Sequence, residues 1–145
     1  MNQNLVIVNA SRSVRLLHLA LAGGLAAVGV VFVVLVKVLR GPLGGEAIPS
    51  IAFAAVSVTQ IAVALLFFRR RIPSRPFDQS VEAYWSVNAV RSSAIVLWAL
   101  LEGAGLFAAV GYVLTGALAP GAAVLVALFA LITASPSRLE DAGAA

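Results

Sequence analysis

Long apolar runs dominate this sequence and decide what it can fold into. The clearest, Leu19 to Val36, contains no charged side chain. A helix needs about 20 mostly apolar residues to cross the hydrocarbon core of a bilayer. The whole chain is 61% apolar and 11% charged, whereas soluble domains average about 45–50% and 25%. These runs therefore predict an integral membrane protein.

Breaks between the runs divide the chain into four predicted spans. Glycine and proline after Leu39, the arginine run after Phe68 and the turn near Pro120 separate them. The spans are approximately 14–39, 48–68, 94–115 and 117–134, with a loop over 69–93 and a polar tail over 135–145. The first exceeds the usual 7–15 apolar residues of a signal peptide, so we expect it to be retained. The fold class is all-α, a four-helix membrane bundle in a single domain over 1–145.

The basic residues predict the orientation of these spans. Under the four-span topology, only Lys37 and Arg40 lie opposite the other eight of the ten basic residues. Since basic residues are retained in the cytoplasm, we expect a bacterial inner-membrane protein with both termini cytoplasmic. The main topology determinants are Arg69, Arg70, Arg71 and Arg75. The isoelectric point near 10.7 does not indicate nucleic-acid binding, because the arginines cluster beside apolar spans.

A mixed segment before the third span predicts a short interfacial helix. The segment from Ser80 to Arg91 is mixed, with aromatic residues near charged ones, and Asp78 or Ser80 can cap a helix. The rings of Tyr84 and Trp85 suit headgroup depth, where one end of a side chain is apolar and the other is wet. We expect this helix to lie on the membrane surface.

One carboxylate, Glu102, interrupts the third span and is the main functional candidate. An ionisable side chain inside the membrane is costly and is functional by default. Gln60 of the second span lies at the same expected depth, with Thr59 beside it. We expect a hydrogen bond between Glu102 and Gln60, with the carboxyl neutral at pH 7 because hydrocarbon disfavours its charged form. A structural tie, an ion or proton site and a partner contact all remain open.

Small residues make the third span a packing helix. Such residues let membrane helices approach closely, and those expected to do so are Gly103, Gly105, Ala109 and Gly111. Glu102, Gly105, Ala109 and Tyr112 recur every three or four residues and form one stripe. We expect the stripe to be buried, either within the bundle or between subunits.

The composition excludes several kinds of chemistry. Without cysteine there is no disulfide or thiolate metal site, and His18 alone cannot form a multi-histidine site. We expect His18 to be interfacial or packed. No serine–histidine–acid set, phosphate loop or carboxylate pair occurs, so the sequence predicts no enzyme, no cofactor and no metal.

Two families resemble parts of the chain. Ala99–Phe107, reading ALLEGAGLF, with Arg91 before it and GYVLTG at 111–116, resembles small uncharacterised four-helix bacterial membrane proteins. Arg91, Ala99, Leu100 and Glu102 are also similar to the carboxylate helix of rotary ATPase proteolipids, which implies that the glutamate binds a transported ion. The chain departs from proteolipids, since residues 48–68 lack glycine and Gly103 stands where a sodium site wants a hydroxyl.

These observations lead to two hypotheses of function. The first is a structural or accessory subunit in the lipid bilayer that packs with itself, as a homo-oligomer, or with a larger membrane complex. The alternative is a protein that translocates protons or small cations through Glu102.

Overall fold

The computed structural model describes residues 10–39 and 49–141, and these residues form helices and short connections. The predicted first residue of the second span, Arg40 of the opposite loop and the last residues of the tail lie outside the described residues. The helices are α1 (Ala10–Val38), α2 (Ser50–Val63), α3 (Val81–Ser86), α4 (Asn88–Thr115), α5 (Leu118–Thr133) and α6 (Pro136–Asp141). The all-α prediction is confirmed.

Three helices are long and apolar enough to cross a membrane, and the chain is a helical membrane protein. They are α1, α4 and the continuous helical segment Ser50–Arg71, in which a π-helical turn and a 3-10 turn extend α2. The fourth predicted span is shorter than expected, because α5 has only 16 residues. Gly116, with φ 64°, ends α4 in the left-handed conformation that glycine adopts without strain, and Pro136 begins α6 soon after α5.

Helix α4 lies at the centre of the bundle. Half of its most apolar 18-residue window is buried in protein, compared with 6% for α1 and 17% for Ser50–Arg71. A Cβ atom on Gly105 would lie 2.6 Å from a Leu25 methyl group of α1, and one on Gly111 would lie 2.5 Å from Phe53 of α2. Glycine therefore allows α1 and α2 to pack closely on α4.

The predicted short helix before the third span is present and is shorter than expected. Helix α3 ends at Ser86, the backbone becomes extended at Val87, and α4 begins at Asn88. The Ser80 hydroxyl caps α3 by accepting a hydrogen bond from the Ala83 N–H at 3.2 Å. Tyr84 and Trp85 are 1% and 0% exposed, so protein covers them, and their depth in the membrane stays a prediction.

Both ends of the described chain meet at one end of the bundle. Arg15, near the start of α1, lies 3.5 Å from Glu140 of α6. The loop after Arg71 reaches the same end, where the Tyr84 hydroxyl donates to the Pro73 carbonyl at 2.7 Å. The shared location of the two ends agrees with an even number of crossings, with α5 returning the chain.

Candidate functional site

A polar cluster, buried except for Arg15, closes the end of the bundle where α1, α3, α4 and α6 meet. We call it the end cluster, and it consists of Arg15, His18, Trp85, Trp98 and Glu140. The Trp85 indole N–H donates to Glu140 Oε1 at 2.6 Å, and Arg15 Nη2 approaches Glu140 Oε2 at 3.5 Å. Trp98 donates to the Ala134 carbonyl at 2.7 Å. Each indole therefore has its acceptor.

His18 links α1 to this cluster. Its Nε2 lies 2.9 Å from the Leu131 carbonyl, and its ring packs edge-on against Trp98 with centroids 5.0 Å apart. Since a carbonyl only accepts, Nε2 must carry the proton. The side chain is 9% exposed, so His18 is a packed histidine, which was one of the two predicted placements.

Tyr84 lies between the end cluster and the arginine-rich loop that follows α2. Its ring packs edge-on against Trp85 with centroids 5.0 Å apart. Burial raises the pKa of the Tyr84 phenol, an effect that the nearby Arg69 charge partly offsets. The hydroxyl is therefore protonated at neutral pH and donates to Pro73. The end cluster and Tyr84 hold the loop, α3 and α6 together.

Glu140 is the buried polar residue that the sequence did not reveal. It lies in the segment predicted to be a polar tail, yet it is 6% exposed and its neighbour Leu139 is fully buried. The available signal is small: Pro136 begins a helix in which Leu139 and Glu140 face inward while Arg138 and Asp141 are exposed. A six-residue helix is too short for this pattern to stand out.

Glu102 lies in a different setting, at the edge of the protein. Along α4, its neighbours one turn away on one side are Trp98 and Gly105, both buried, and on the other side Ala99 and Leu106, which are exposed and partly exposed. Its Oε1 atom lies against Gly24 of α1, 3.7 Å from where a Cβ atom would stand. Among the described residues, no donor hydrogen-bonds this carboxyl.

The predicted bond between Glu102 and Gln60 is not formed. Gln60 Nε2 instead donates to the Leu100 carbonyl at 3.1 Å, and it lies 3.4 Å from the Cβ position of Gly103. The depth predicted for Gln60 was correct, because Gln60 lies beside Leu100 and Gly103 of α4. These two residues are on the side of α4 that faces α2, whereas Glu102 faces α1. Thr59 is exposed, so the three predicted polar residues do not meet.

Glu102 instead belongs to a narrow strip of surface between α4 and α1, which we call the carboxyl seam. It consists of Glu102, Gly24, Ala99 and Leu106, where α4 is exposed beside α1. The seam thus contains a carboxyl in an otherwise apolar surface. Away from the seam, the Ser57 hydroxyl of α2 packs between α2 and α4 and donates to the Ala104 carbonyl at 2.7 Å.

The predicted packing residues face the interior of this chain. Gly105, Ala109 and Gly111 are buried, and Gly103 is partly buried. Gly105 is enclosed by Leu25 and Ala127, so the small-residue stripe is used within the bundle.

The predicted topology arginines lie at the end of the extended α2. Arg69, Arg70 and Arg71 form the 3-10 turn, and the Arg71 guanidinium stands 5.3 Å from the centroid of Phe68. Arg75 donates to the Gln79 carbonyl at 2.6 Å. These residues form a basic belt next to Tyr84.

The chemistry of the described residues is limited to hydrogen bonding and charge. No group of three or more histidine, cysteine, aspartate or glutamate side chains could hold a metal within the described ranges. Comparison with protein-family models, curated proteins and solved structures gave no match. The resemblances to the small four-helix proteins and to proteolipids therefore stay predictions.

Proposed function

We propose that this protein is a non-enzymatic accessory subunit of the bacterial inner membrane that binds a partner transmembrane helix at the carboxyl seam. The observation that carries the proposal is the position of Glu102. It lies between a buried and an exposed row of α4, with no hydrogen-bond donor among the described residues. On this proposal, the end cluster lies on the cytoplasmic side, together with both ends of the described chain.

The energetic argument follows from the depth of Glu102. Counted from Ala94, it lies about 12 Å along the helix at about 1.5 Å per residue. A carboxyl in hydrocarbon keeps a free-energy penalty until a donor satisfies it. A partner helix that carries an amide, hydroxyl or basic side chain removes this penalty on binding, so association is favoured at this seam.

The packing of α4 argues for a partner at the seam rather than on the small-residue stripe. Gly105 and Gly111 already contact α1 and α2, which leaves no glycine face for a second chain there. The exposed row that includes Ala99 remains uncovered by protein. The partner is either a second copy of this chain or a helix of a larger membrane complex.

Site-specific photocrosslinking in the native membrane tests this proposal. A photoreactive amino acid at Ala99 should yield a crosslinked partner, and Glu102→Leu should remove that product while Glu102→Gln, which retains hydrogen bonding, should preserve it. The control is the same photoreactive residue at Phe129 of α5, which is 67% exposed and far from the seam. Absence of a product from Ala99, or a product indifferent to Glu102→Leu, contradicts the proposal.

The second candidate is translocation of protons or small cations, which the same unpaired and partly exposed carboxyl favours. Labelling of Glu102 with a carboxyl-reactive reagent separates the two functions. A transport site reacts in a pH-dependent way in purified protein and is protected by its cation. A partner contact is protected in the membrane and becomes reactive when the partner is removed. In vesicles, Glu102→Gln abolishes cation flux only on the transport hypothesis.

A further inference from the structure

An apolar cleft of about 600 Å³ opens between α1 and α5. Its walls are the C-terminal half of α1 and helix α5, and its floor is Ala109 and Tyr112 of α4. Val33 and Val34 of α1 and Ala122 of α5 line it. The volume lies within the range of about 300–1,000 Å³ typical of small-molecule sites, and the lining is almost entirely apolar.

We propose that this cleft binds one acyl chain of an anionic phospholipid. The cleft is closed at one end, because Leu25 is fully buried between the Gly105 and Ala127 positions. It runs along α1 from there to Val34, a distance of about 14 Å at about 1.5 Å per residue. One leaflet of a bilayer has about 15 Å of hydrocarbon. A chain that enters from one leaflet therefore fills the cleft and stops at its closed end.

Charge at the open end selects the headgroup. Lys37 lies three and four residues after Val34 and Val33, so it projects from the same face of α1 one turn beyond the cleft. It is exposed, and no hydrogen bond or ion pair to it occurs among the described residues. An ammonium group at headgroup level attracts a lipid phosphate and favours lipids with net negative charge.

The lipid site is independent of the partner site. Glu102 lies on the edge of α4 that faces Gly24, whereas the cleft lies between α1 and α5. A change at Glu102 should leave the bound lipid in place, so failure of one proposal is distinguishable from failure of the other.

Native mass spectrometry of the full chain, released from micelles containing phosphatidylglycerol and phosphatidylcholine in equal amounts, tests the proposal. We expect one retained phospholipid per chain, with phosphatidylglycerol preferred about fivefold, the factor that one lysine near a headgroup supplies. Ala122→Phe places a ring in the cleft and should remove the retained lipid. Ala119→Phe is the matched control, since Ala119 is exposed on α5 and does not line the cleft.

Lys37→Gln should retain a lipid but bind both headgroups equally, whereas Lys37→Arg should keep the preference. If Ala122→Phe destabilises the fold, Ala26→Phe fills the cleft from the opposite wall. Equal lipid retention by the cleft variant, Ala122→Phe or Ala26→Phe, and by the Ala119→Phe control overturns the acyl-chain site. A dimer mass that Ala122→Phe abolishes assigns the cleft to a second copy instead. A retained lipid without headgroup preference overturns the role of Lys37.

Discussion

The end cluster and the carboxyl seam differ in whether their polar side chains have hydrogen-bond partners. At the end cluster, Trp85, Trp98 and His18 each reach an oxygen within 2.9 Å, and the rings exclude solvent and lipid. At the seam, Glu102 lies in an apolar setting with no donor among the described residues. Buried polar groups in native proteins are nearly always hydrogen-bonded. The end cluster follows this rule, whereas Glu102 is only partly buried at the seam, where the proposed partner would supply its donor.

The largest expected effect comes from removing the ring at the centre of the end cluster. Trp98→Ala deletes a fully buried side chain, its bond to Ala134 and its contact with His18. We expect a loss of about 3–5 kcal/mol in the free energy of unfolding, typical of Trp→Ala in a core. Denaturant unfolding in mixed micelles measures it. Phe129→Ala, at an exposed ring, should change stability far less, and equal losses in the two variants would contradict a structural end cluster.

Overpacking beside the seam should have the next largest effect. Gly105→Leu drives a side chain into Leu25 and Ala127, where even a Cβ atom lies within 3.1 Å of both. We expect a loss toward the upper end of about 1–3 kcal/mol. Gly23→Leu is the matched control on α1, because nothing lies within 4 Å of its Cβ position. A stable Gly105→Leu variant would mean that α1 moves freely on α4.

A smaller effect separates hydrogen bonding from charge within the end cluster. Glu140→Leu leaves the Trp85 N–H buried without an acceptor, which we expect to cost about 1–2 kcal/mol. Glu140→Gln keeps an oxygen for Trp85 and loses only the ion pair with Arg15, whose side chain is 55% exposed. Exposed ion pairs contribute about 0–1 kcal/mol. Thermal unfolding in detergent compares the two variants, and equal losses would show that charge, not the indole bond, holds α6.

The smallest effect is expected at the seam itself. Because Glu102 accepts no hydrogen bond within the described bundle, Glu102→Leu should change the stability of the purified single chain by less than about 0.5 kcal/mol, as for ordinary surface positions. A helix tie, as the sequence suggested, would cost roughly 1–2 kcal/mol. The same unfolding assay applied to Glu102→Leu and Glu102→Gln distinguishes these values. A loss above about 1 kcal/mol would place a hydrogen-bond partner inside the bundle.

The helical fold was predictable because long apolar runs leave a membrane chain few alternatives. Glycine at 105 and 111 likewise predicted close packing on α4. Gly105 and Ala109 of the stripe are buried, whereas Glu102 and Tyr112 are only partly buried. Contacts between helices were harder to predict from the sequence. Gln60 lies at the right depth but on the wrong side of α4, since depth follows from counting residues whereas rotation depends on how α1, α2 and α5 pack together.

The end cluster shows a second limit of the sequence. Tyr84 and Trp85 have the composition of an interfacial segment, and that local signal gives no information about a distant cover. Their burial depends on Glu140, 55 residues further along the chain, and on a short helix whose pattern is weak. Composition alone therefore could not reveal that protein covers both rings.

The order of synthesis gives the end cluster a further significance. The acceptor of the Trp98 indole is a carbonyl 36 residues downstream, and that of the Trp85 indole is a carboxylate 55 residues downstream. Helices α1, α2 and α4 can enter the bilayer while translation continues, but neither indole has its acceptor until α5 and α6 have left the ribosome. A nascent chain halted before Ala134 therefore lacks both acceptors, and its two indole N–H groups distinguish it from the finished bundle.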